Sequence, residues 1–319
     1  MSDKRKTITI LIPAYNEEEV LDKLYQRLDA LGKEITDYHL EFLFVNDGSR
    51  DRTLEMIKEY RAKDSRVSFV SLSRNFGKEI GMIAGLDHAD GDAVVIIDAD
   101  LQDPPELIPQ MIKHWEDGYD DVYARRSSRA GETWLKKVTS KLYYRMLQRS
   151  TRIPIQPDTG DFRLLDKRCV TALRQIRESQ RNAKGMFSWI GFKKKEIVYT
   201  RDPRAAGQTK WSYPKLINLA IDGLTSFTTA PLRLASIMGV VISIFAFVYI
   251  VITVARAVLY GPDVAGYPSL MSVMLFLGGV QLLSLGIIGE YIARIFNETK
   301  QRPLYFVDEY DAEKPVKHR

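Results

Sequence analysis

Residues 96–106 read Ile96-Ile97-Asp98-Ala99-Asp100-Leu101-Gln102-Asp103-Pro104-Pro105-Glu106. An apolar run, Ala93 to Ile97, stops abruptly and delivers two carboxylates one residue apart, with two prolines close behind. The run suits a buried strand, and prolines end sheet pairing. An acidic pair at the carboxyl end of a strand can hold a divalent cation over a ligand crevice. It can equally be a polar turn closing the strand, because Asp and Pro populate such turns for local reasons. The surrounding chain separates these readings.

Strand and helix patterns alternate through the first 125 residues. Thr7 to Ile12, Leu40 to Val45, Val67 to Leu72 and Ala93 to Ile97 are short apolar, β-branched runs. Between them, Glu17 to Leu31 carries Val20, Leu21, Leu24, Leu28 and Leu31 at helical spacing. A helix capped by Ser49 or Asp51 follows to about Ala62, then a small-residue helix over Lys78 to Ala89 and another over Leu107 to Trp115. Continuous apolar strands alternating with helices predict an α/β fold, with a mostly parallel sheet covered on both faces. Ligands then sit at the carboxyl ends of the strands. Four polar stretches follow the four strands and should line one edge: residues 13–17, 46–49, 73–78 and the Asp98/Asp100 segment. One acidic turn is bland, but four polar strand ends around one crevice predict a nucleotide site.

Composition narrows the chemistry. At 319 residues the chain has room for about two domains. A lone cysteine, Cys169, excludes an internal disulfide, and four scattered histidines do not make a zinc site. The net charge of +5 is modest and its distribution matters more than its size; no nucleic-acid partner is expected. Lys4, Arg5 and Lys6 have no long apolar run behind them, so no secretory signal is read there. The Gly-x-Gly-x-x-Gly and Gly-x-x-x-x-Gly-Lys phosphate loops are both missing. A carboxylate-held metal would then neutralise the phosphates, which points to a nucleotide-activated donor.

Residues 12–18 (IPAYNEE), 45–53 (VNDGSRDRT), 74–79 (RNFGKE) and 98–106 (DADLQDPPE) together resemble the inverting glycosyltransferases of family 2. More narrowly, the chain is similar to the polyisoprenyl-phosphate glycosyltransferases, which include dolichol-phosphate mannose synthases and bacterial enzymes that glucosylate undecaprenyl phosphate. The resemblance implies a GT-A (Rossmann-like) domain, a nucleotide-sugar donor, a polyprenyl phosphate acceptor and Mg²⁺ or Mn²⁺. Carried over by position, Pro13, Ala14, Tyr15, Glu17, Asp47, Asp98 and Ala99 would hold the nucleotide. Asp98, Asp100 and Gln102 would form the metal and diphosphate site.

Past residue 120 the pattern changes. Thr133 to Arg149 interleaves Leu135, Val138, Leu142 and Met146 with Lys136, Lys137, Lys141, Arg145 and Arg149. That pattern reads as a basic helix on an anionic membrane surface or as an ordinary solvated helix packed on the domain. The resemblance places a lipid-phosphate contact at Arg125, with Arg126 and Arg129 competing for the role. Gln156 to Leu165 sets Asp158 and Asp161 around Gly160, next to Arg163. It can be a helix cap with a salt bridge, or it can present a general base. The resemblance puts the catalytic aspartate here: Asp158 is the choice, with Asp161 and Arg163 orienting. Phe187 to Val198 is strand-like, interrupted by Lys193-Lys194-Lys195-Glu196. In the basic stretch 201–212, Arg204 and Lys210 would contact phosphate from a closing lid, unless the loop is merely solvated.

The expected division is therefore a GT-A domain over 1–212, a juxtamembrane helix over 213–231, two spans within 232–293 (about 234–256 and 269–291) and a tail over 294–319. Leu234 to Val254 and Leu270 to Gly289 are uncharged, long enough for a hydrocarbon core of about 30 Å. Basic flanks put the catalytic domain and both termini in the cytoplasm, and small residues in the second span make a homo-oligomer plausible. The reading that follows is inverting transfer of a hexose, glucose from UDP-glucose, to undecaprenyl phosphate for cell-envelope glycosylation. Mannose from GDP-mannose, an amino sugar, or a non-enzymatic membrane scaffold are the alternatives. A processive polysaccharide synthase would carry Gln-x-x-Arg-Trp and more spans, which this sequence lacks.

Overall fold

In strand β1 (Thr7–Ala14) the consecutive residues Ile8, Thr9, Ile10, Leu11 and Ile12 are all buried, so both its faces are covered. The computed structural model describes residues 5–127, 159–178, 183–199, 230–260 and 266–312. Helix α1 (Leu21–Glu34) follows, then β2 (His39–Asn46), α2 (Thr53–Lys63), β3 (Val67–Leu72), α3 (Lys78–His88) and β4 (Ala93–Ile96). A 3₁₀ turn over Pro105–Leu107 leads into α4 (Ile108–Glu116) and β5 (Asp121–Arg126). Beyond the segment left undescribed come β6 (Thr159–Asp166), α5 (Lys167–Gln175), α6 (Ala183–Trp189) and β7 (Lys194–Tyr199). Two long helices, α7 (Ala230–Tyr260) and α8 (Tyr267–Thr299), precede a last strand, β8 (Val307–Asp311).

These strands form one sheet in the order β7-β5-β6-β4-β1-β2-β3-β8. The pairs β4/β1, β1/β2 and β2/β3 are parallel, as is β5/β7, while β6 and β8 run against their neighbours. The sheet is thus mixed and mostly parallel, as the strand–helix alternation predicts. Two apolar layers sandwich it. Leu21, Leu24, Leu28, Ile57, Ile108 and Met111 pack on one face, and Met82, Leu86, Cys169, Val170 and Phe187 on the other. Cys169 is fully buried and serves as packing. The small residues of α3 have a local reason. A β-carbon on Gly85 would lie 2.0 Å from Leu11 Cδ1, so the helix can approach β1 this closely only without a side chain there.

Three stretches differ from the sequence reading. Thr159–Asp166 is a strand, not a helix cap, because its buried Phe162, Leu164 and Leu165 are claimed by the sheet between β4 and β5. Phe187 lies in helix α6, where it packs into the second apolar layer, and the strand begins only at Lys194. The polar tail contributes β8, antiparallel to β3, with Ser73 N–H donating to Phe306 O at 3.0 Å. Lys58–Glu309 (2.6 Å) and Arg61–Asp311 (3.4 Å) fasten it, and Tyr305 Oη donates to Asp87 at 2.8 Å. The acidic, exposed face of β8 carries no hydrophobic alternation, which is why nothing in its pattern announces a strand.

The chain divides into the sheet unit, which includes β8, and a helical unit holding α7 and α8. The two helices, 31 and 33 residues long, contain windows apolar and long enough to cross a membrane. Large apolar side chains such as Ile237, Phe245, Phe247, Leu275 and Leu282 stand 60% or more exposed along them. In a water-soluble helix, such a run would be a liability. The two helices are candidate membrane spans.

Candidate functional site

The carboxyl ends of β1 to β4 bring together the four polar stretches expected on one edge. The loops after β1 and β2 are laced to each other. Asn16 N–H donates to Ser49 Oγ (3.0 Å), Arg50 N–H to Asn16 Oδ1 (2.9 Å) and Glu17 N–H to Thr53 Oγ1 (2.9 Å). Asn16 takes φ 56°, a left-handed conformation that asparagine tolerates, and this turns Tyr15 outward to 41% exposure. Pro13 and Ala14 close β1 behind it. Tyr15 therefore offers an open aromatic face, as a residue packing on a base should.

Asp47 is buried at the end of β2 and accepts two backbone N–H bonds, from Phe76 (2.7 Å) and Gly77 (2.8 Å). Burial lifts its carboxyl above the usual carboxylate range, against the pull of those donors and of Arg74. The carboxylate thus ties the β2 loop to the β3 loop. A base contact would use its remaining lone pairs. Gly48, beside it, adopts φ 65°, and a β-carbon there would lie 2.4 Å from the Arg74 carbonyl carbon.

The acidic pair of β4 has a partner the sequence did not nominate. Lys78, the first residue of α3, places its ammonium 2.7 Å from each oxygen of Asp98 and 2.6 Å from Asp161 Oδ2. Strand register explains the meeting. β4 and β6 pair antiparallel with Ile96 opposite Arg163, so two residues further on Asp98 faces Asp161. Like charges opposite one another on neighbouring strands are destabilising, and Lys78 compensates both. Burial lowers the Lys78 ammonium's pKa, but the charges of Asp98 and Asp161 more than reverse this and hold it above the ordinary lysine value. Burial is also the main reason that the Asp98 carboxyl sits above its usual range, with Lys78 opposing the shift. Lys78 lies within residues 74–79, one of the four motif stretches. Its position at the start of a helix aimed at the strand ends was the available signal.

Asp100 is held by a local turn. Its Oδ1 accepts Gln102 N–H at 3.1 Å, and Leu101 between them takes φ 60°. Gln102 and Ala99 are buried, and Asp103 beyond them accepts from Tyr199 Oη. Among the described residues, no cluster of three or more His, Cys, Asp or Glu could hold a metal. Asp98 and Asp100 are nonetheless hard oxygen donors one residue apart. Mg²⁺ and Mn²⁺ commonly take one or two carboxylates and complete the shell with water and phosphate. The donor set fits an ion that arrives with a diphosphate.

The remaining expected residues separate. Arg163 is almost wholly buried, paired with Asp121 at 3.1 Å and stacked 3.8 Å from the Phe187 ring. That makes it a scaffold for β5 and β6. Arg125 is 40% exposed and paired with Glu196 at 2.8 Å. Asp161 joins the acidic pair through Lys78, while Asp158, Arg129, Arg204 and Lys210, with the basic stretch 133–149 and residues 213–229, lie outside the described residues.

Residues 9–173 match the family model "Glycosyl transferase family 2", and residues 230–295 match "GtrB C-terminal hairpin". The chain is 48% identical to an uncharacterized glycosyltransferase, sll0501, of Synechocystis, over 95% of both chains. It is 41% identical to the bactoprenol glucosyl transferase of Shigella phage SfV, over 94% of this chain and 97% of that one. Among solved structures it is similar to glucosyl-3-phosphoglycerate synthase from Mycobacterium tuberculosis, at TM-score 0.46 and 20% identity over 69% of this chain and 78% of that chain.

Proposed function

The chain belongs to glycosyl transferase family 2, and from that premise we propose that it transfers glucose to a polyprenyl phosphate, with UDP-glucose as donor and undecaprenyl phosphate as acceptor. It is a glycosyltransferase with a GT-A sheet. The observation that carries the proposal is one crevice holding an exposed Tyr15, the laced loops after β1 and β2, and the Asp98/Asp100 pair, on a chain that also has two candidate spans. Tyr15 and the laced loops suit a base, the acidic pair a diphosphate, and the candidate spans a lipid-borne acceptor.

Asp98 and Asp100, with Gln102 beside them, would hold Mg²⁺ or Mn²⁺. When bound, the ion would supply charge neutralisation to the departing nucleoside diphosphate. Pro13, Ala14, Tyr15, Glu17, Asp47 and Ala99 would bind the nucleoside. Asp158, three residues before Asp161 in sequence, would position the acceptor phosphate in line with the sugar C1 and take its residual proton. Its demand as a base is small, since a phosphate monoester is largely ionised near neutral pH. Arg125 would meet the lipid phosphate by exchanging Glu196 for it, and Arg204 and Lys210 would close over the phosphates and exclude water. Basic residues flanking the spans favour a cytoplasmic catalytic unit and cytoplasmic termini, and the small residues of α8 allow a homo-oligomer.

The test is transfer by membranes carrying the protein, offered undecaprenyl phosphate and radiolabelled UDP-glucose, UDP-galactose, GDP-mannose or UDP-N-acetylglucosamine. A labelled lipid from UDP-glucose alone is the expected result. A product from another donor would overturn the glucose assignment, and no lipid product from any donor would overturn the acceptor.

A further inference from the structure

Lys78 sits between two carboxylates of neighbouring strands, 2.7 Å from both Asp98 oxygens and 2.6 Å from Asp161. An ammonium seated on both oxygens of a carboxylate opposes a second cation on the same oxygens, because two cations a few ångströms apart repel, the more weakly here because the Lys78 side chain is 46% exposed to water. Asp98 therefore binds a divalent ion less well while Lys78 holds both of its oxygens. The alternatives open to Lys78 are Asp161, which it already touches, and the phosphate oxygens of a nucleotide.

We propose that Lys78 is a built-in counter-ion that exchanges with the divalent metal: it holds Asp98 in the unloaded protein and yields that carboxylate only when a diphosphate brings the metal and offers the ammonium a new anionic partner. This rests on the metal reading of Asp98 and Asp100. Lys78 acts through Asp98 and is a positioning residue. The exchange makes metal and nucleotide binding interdependent, since each supplies what the other's arrival displaces. It also keeps Asp98 and Asp161, and so β4 and β6, joined while the crevice is empty.

The experiment measures Mn²⁺ binding by electron paramagnetic resonance on the full chain in detergent, with and without UDP. Wild type should bind Mn²⁺ at least 10-fold more tightly with UDP than without it. Lys78→Met should bind Mn²⁺ alone at least 10-fold more tightly than wild type does, and the gain from UDP should shrink. Lys78→Arg, which keeps the charge, should behave like wild type. A merely structural Lys78 would leave the affinity for free Mn²⁺ unchanged or lower in the Met variant, and that result overturns the exchange. If Lys78→Met does not fold, Lys78→Gln replaces it and is judged by the same criterion. Absence of Mn²⁺ binding to wild type even with UDP overturns the metal reading itself. An intact UDP-dependent site that Lys78→Met fails to alter overturns only the exchange.

Discussion

Replacing Gly48 with alanine tests whether the crevice depends on the close approach of the β2 and β3 loops. The new β-carbon would lie 2.4 Å from the Arg74 carbonyl carbon, 2.6 Å from Asn75 N and 2.8 Å from Arg74 Cα. These are backbone atoms, so no flexible side chain can swing aside. Holding alanine at φ 65° costs about 1 kcal/mol in itself, and forcing a methyl group into filled space adds roughly 1–3 kcal/mol. The total, about 3 kcal/mol, corresponds to a fall in Tm of roughly 6–12 °C for a unit of this size. Residues 74 and 75 lead directly to the Phe76 and Gly77 N–H groups that Asp47 accepts, so relief of the clash pulls those donors away. UDP affinity should fall about 10-fold, equivalent to about 1.4 kcal/mol. Gly118 is the control: its φ is 85°, but a β-carbon there meets nothing within 4 Å. Gly118→Ala should therefore lose only about 1 kcal/mol and leave UDP binding alone. Fluorescence-detected melts and calorimetric UDP titrations read both quantities. A Gly48→Ala protein that melts within 2 °C of wild type (roughly the shift from under 1 kcal/mol) and binds UDP normally would refute the reasoning.

Asp100→Asn should lower transfer by about 100-fold or more, the scale of losing one preorganised electrostatic contact to a transition state, and EDTA should abolish transfer in wild type. Transfer that persists in EDTA would remove the acidic pair from metal binding. Asp158→Asn should retain UDP binding while losing turnover, as seen by titration and lipid-product assay on one preparation; near-normal turnover would remove it from the base role. Arg66 pairs with Asp64 at 2.7 Å and also with Asp29. Burial raises the Asp64 carboxyl but the bonds from Arg66 outweigh it, and bonds from Lys33 and then Arg66 depress Asp29. Both folded values lie below the unfolded ones, so this stabilisation is present above about pH 4 and is lost as pH falls through the folded values. Arg66→Met should be less stable than wild type by about 1.5–3 kcal/mol at pH 7, with the gap closing toward pH 3; a gap that does not close would rule out the ion pairs as its source.

How much was legible depended on whether a residue's fate is decided locally. The strands β1 to β4 could be read because each is a continuous apolar run whose burial does not depend on which neighbour covers it. That their polar ends share an edge followed from parallel order alone. β8 could not be read, since Val307–Asp311 is a strand only because the edge of β3 accepts it and Lys58 and Arg61 neutralise its acids. The partner of Arg163 was not legible for a similar reason. The arginine stands close to Asp158 and Asp161 in sequence, yet it pairs with Asp121, 42 positions away and fully buried. Such pairing is set by strand register, which hydrophobic pattern does not specify across a connection as long as the one between β5 and β6.

The same register gives the crevice its division of labour. β4 belongs to the parallel half of the sheet, whose strand ends gather Tyr15, Asp47 and Asp98 on one edge. β6 is the strand inserted against it in the opposite sense, and the chain enters β6 just after Asp158. Pairing Ile96 with Arg163 therefore sets the end of one strand and the beginning of the other side by side. Asp98 and Asp161 are then neighbours although some sixty residues separate them in sequence. A slip of two residues in that pairing would keep every apolar side chain on its proper face, because strand side chains repeat every second position. It would, however, part Asp161 from Asp98 by roughly 7 Å, too far for one ammonium to serve both. The hydrophobic pattern of β6 is indifferent to that slip, and so is the buried Arg163–Asp121 pair, which joins β6 to β5 rather than to β4. Breaking that pair typically costs about 3–5 kcal/mol, enough to select the register of β6 against β5. The contact that does distinguish the observed β4/β6 register is the Lys78 ammonium itself, 2.7 Å from Asp98 and 2.6 Å from Asp161, while Arg163 keeps β5 in step with β6.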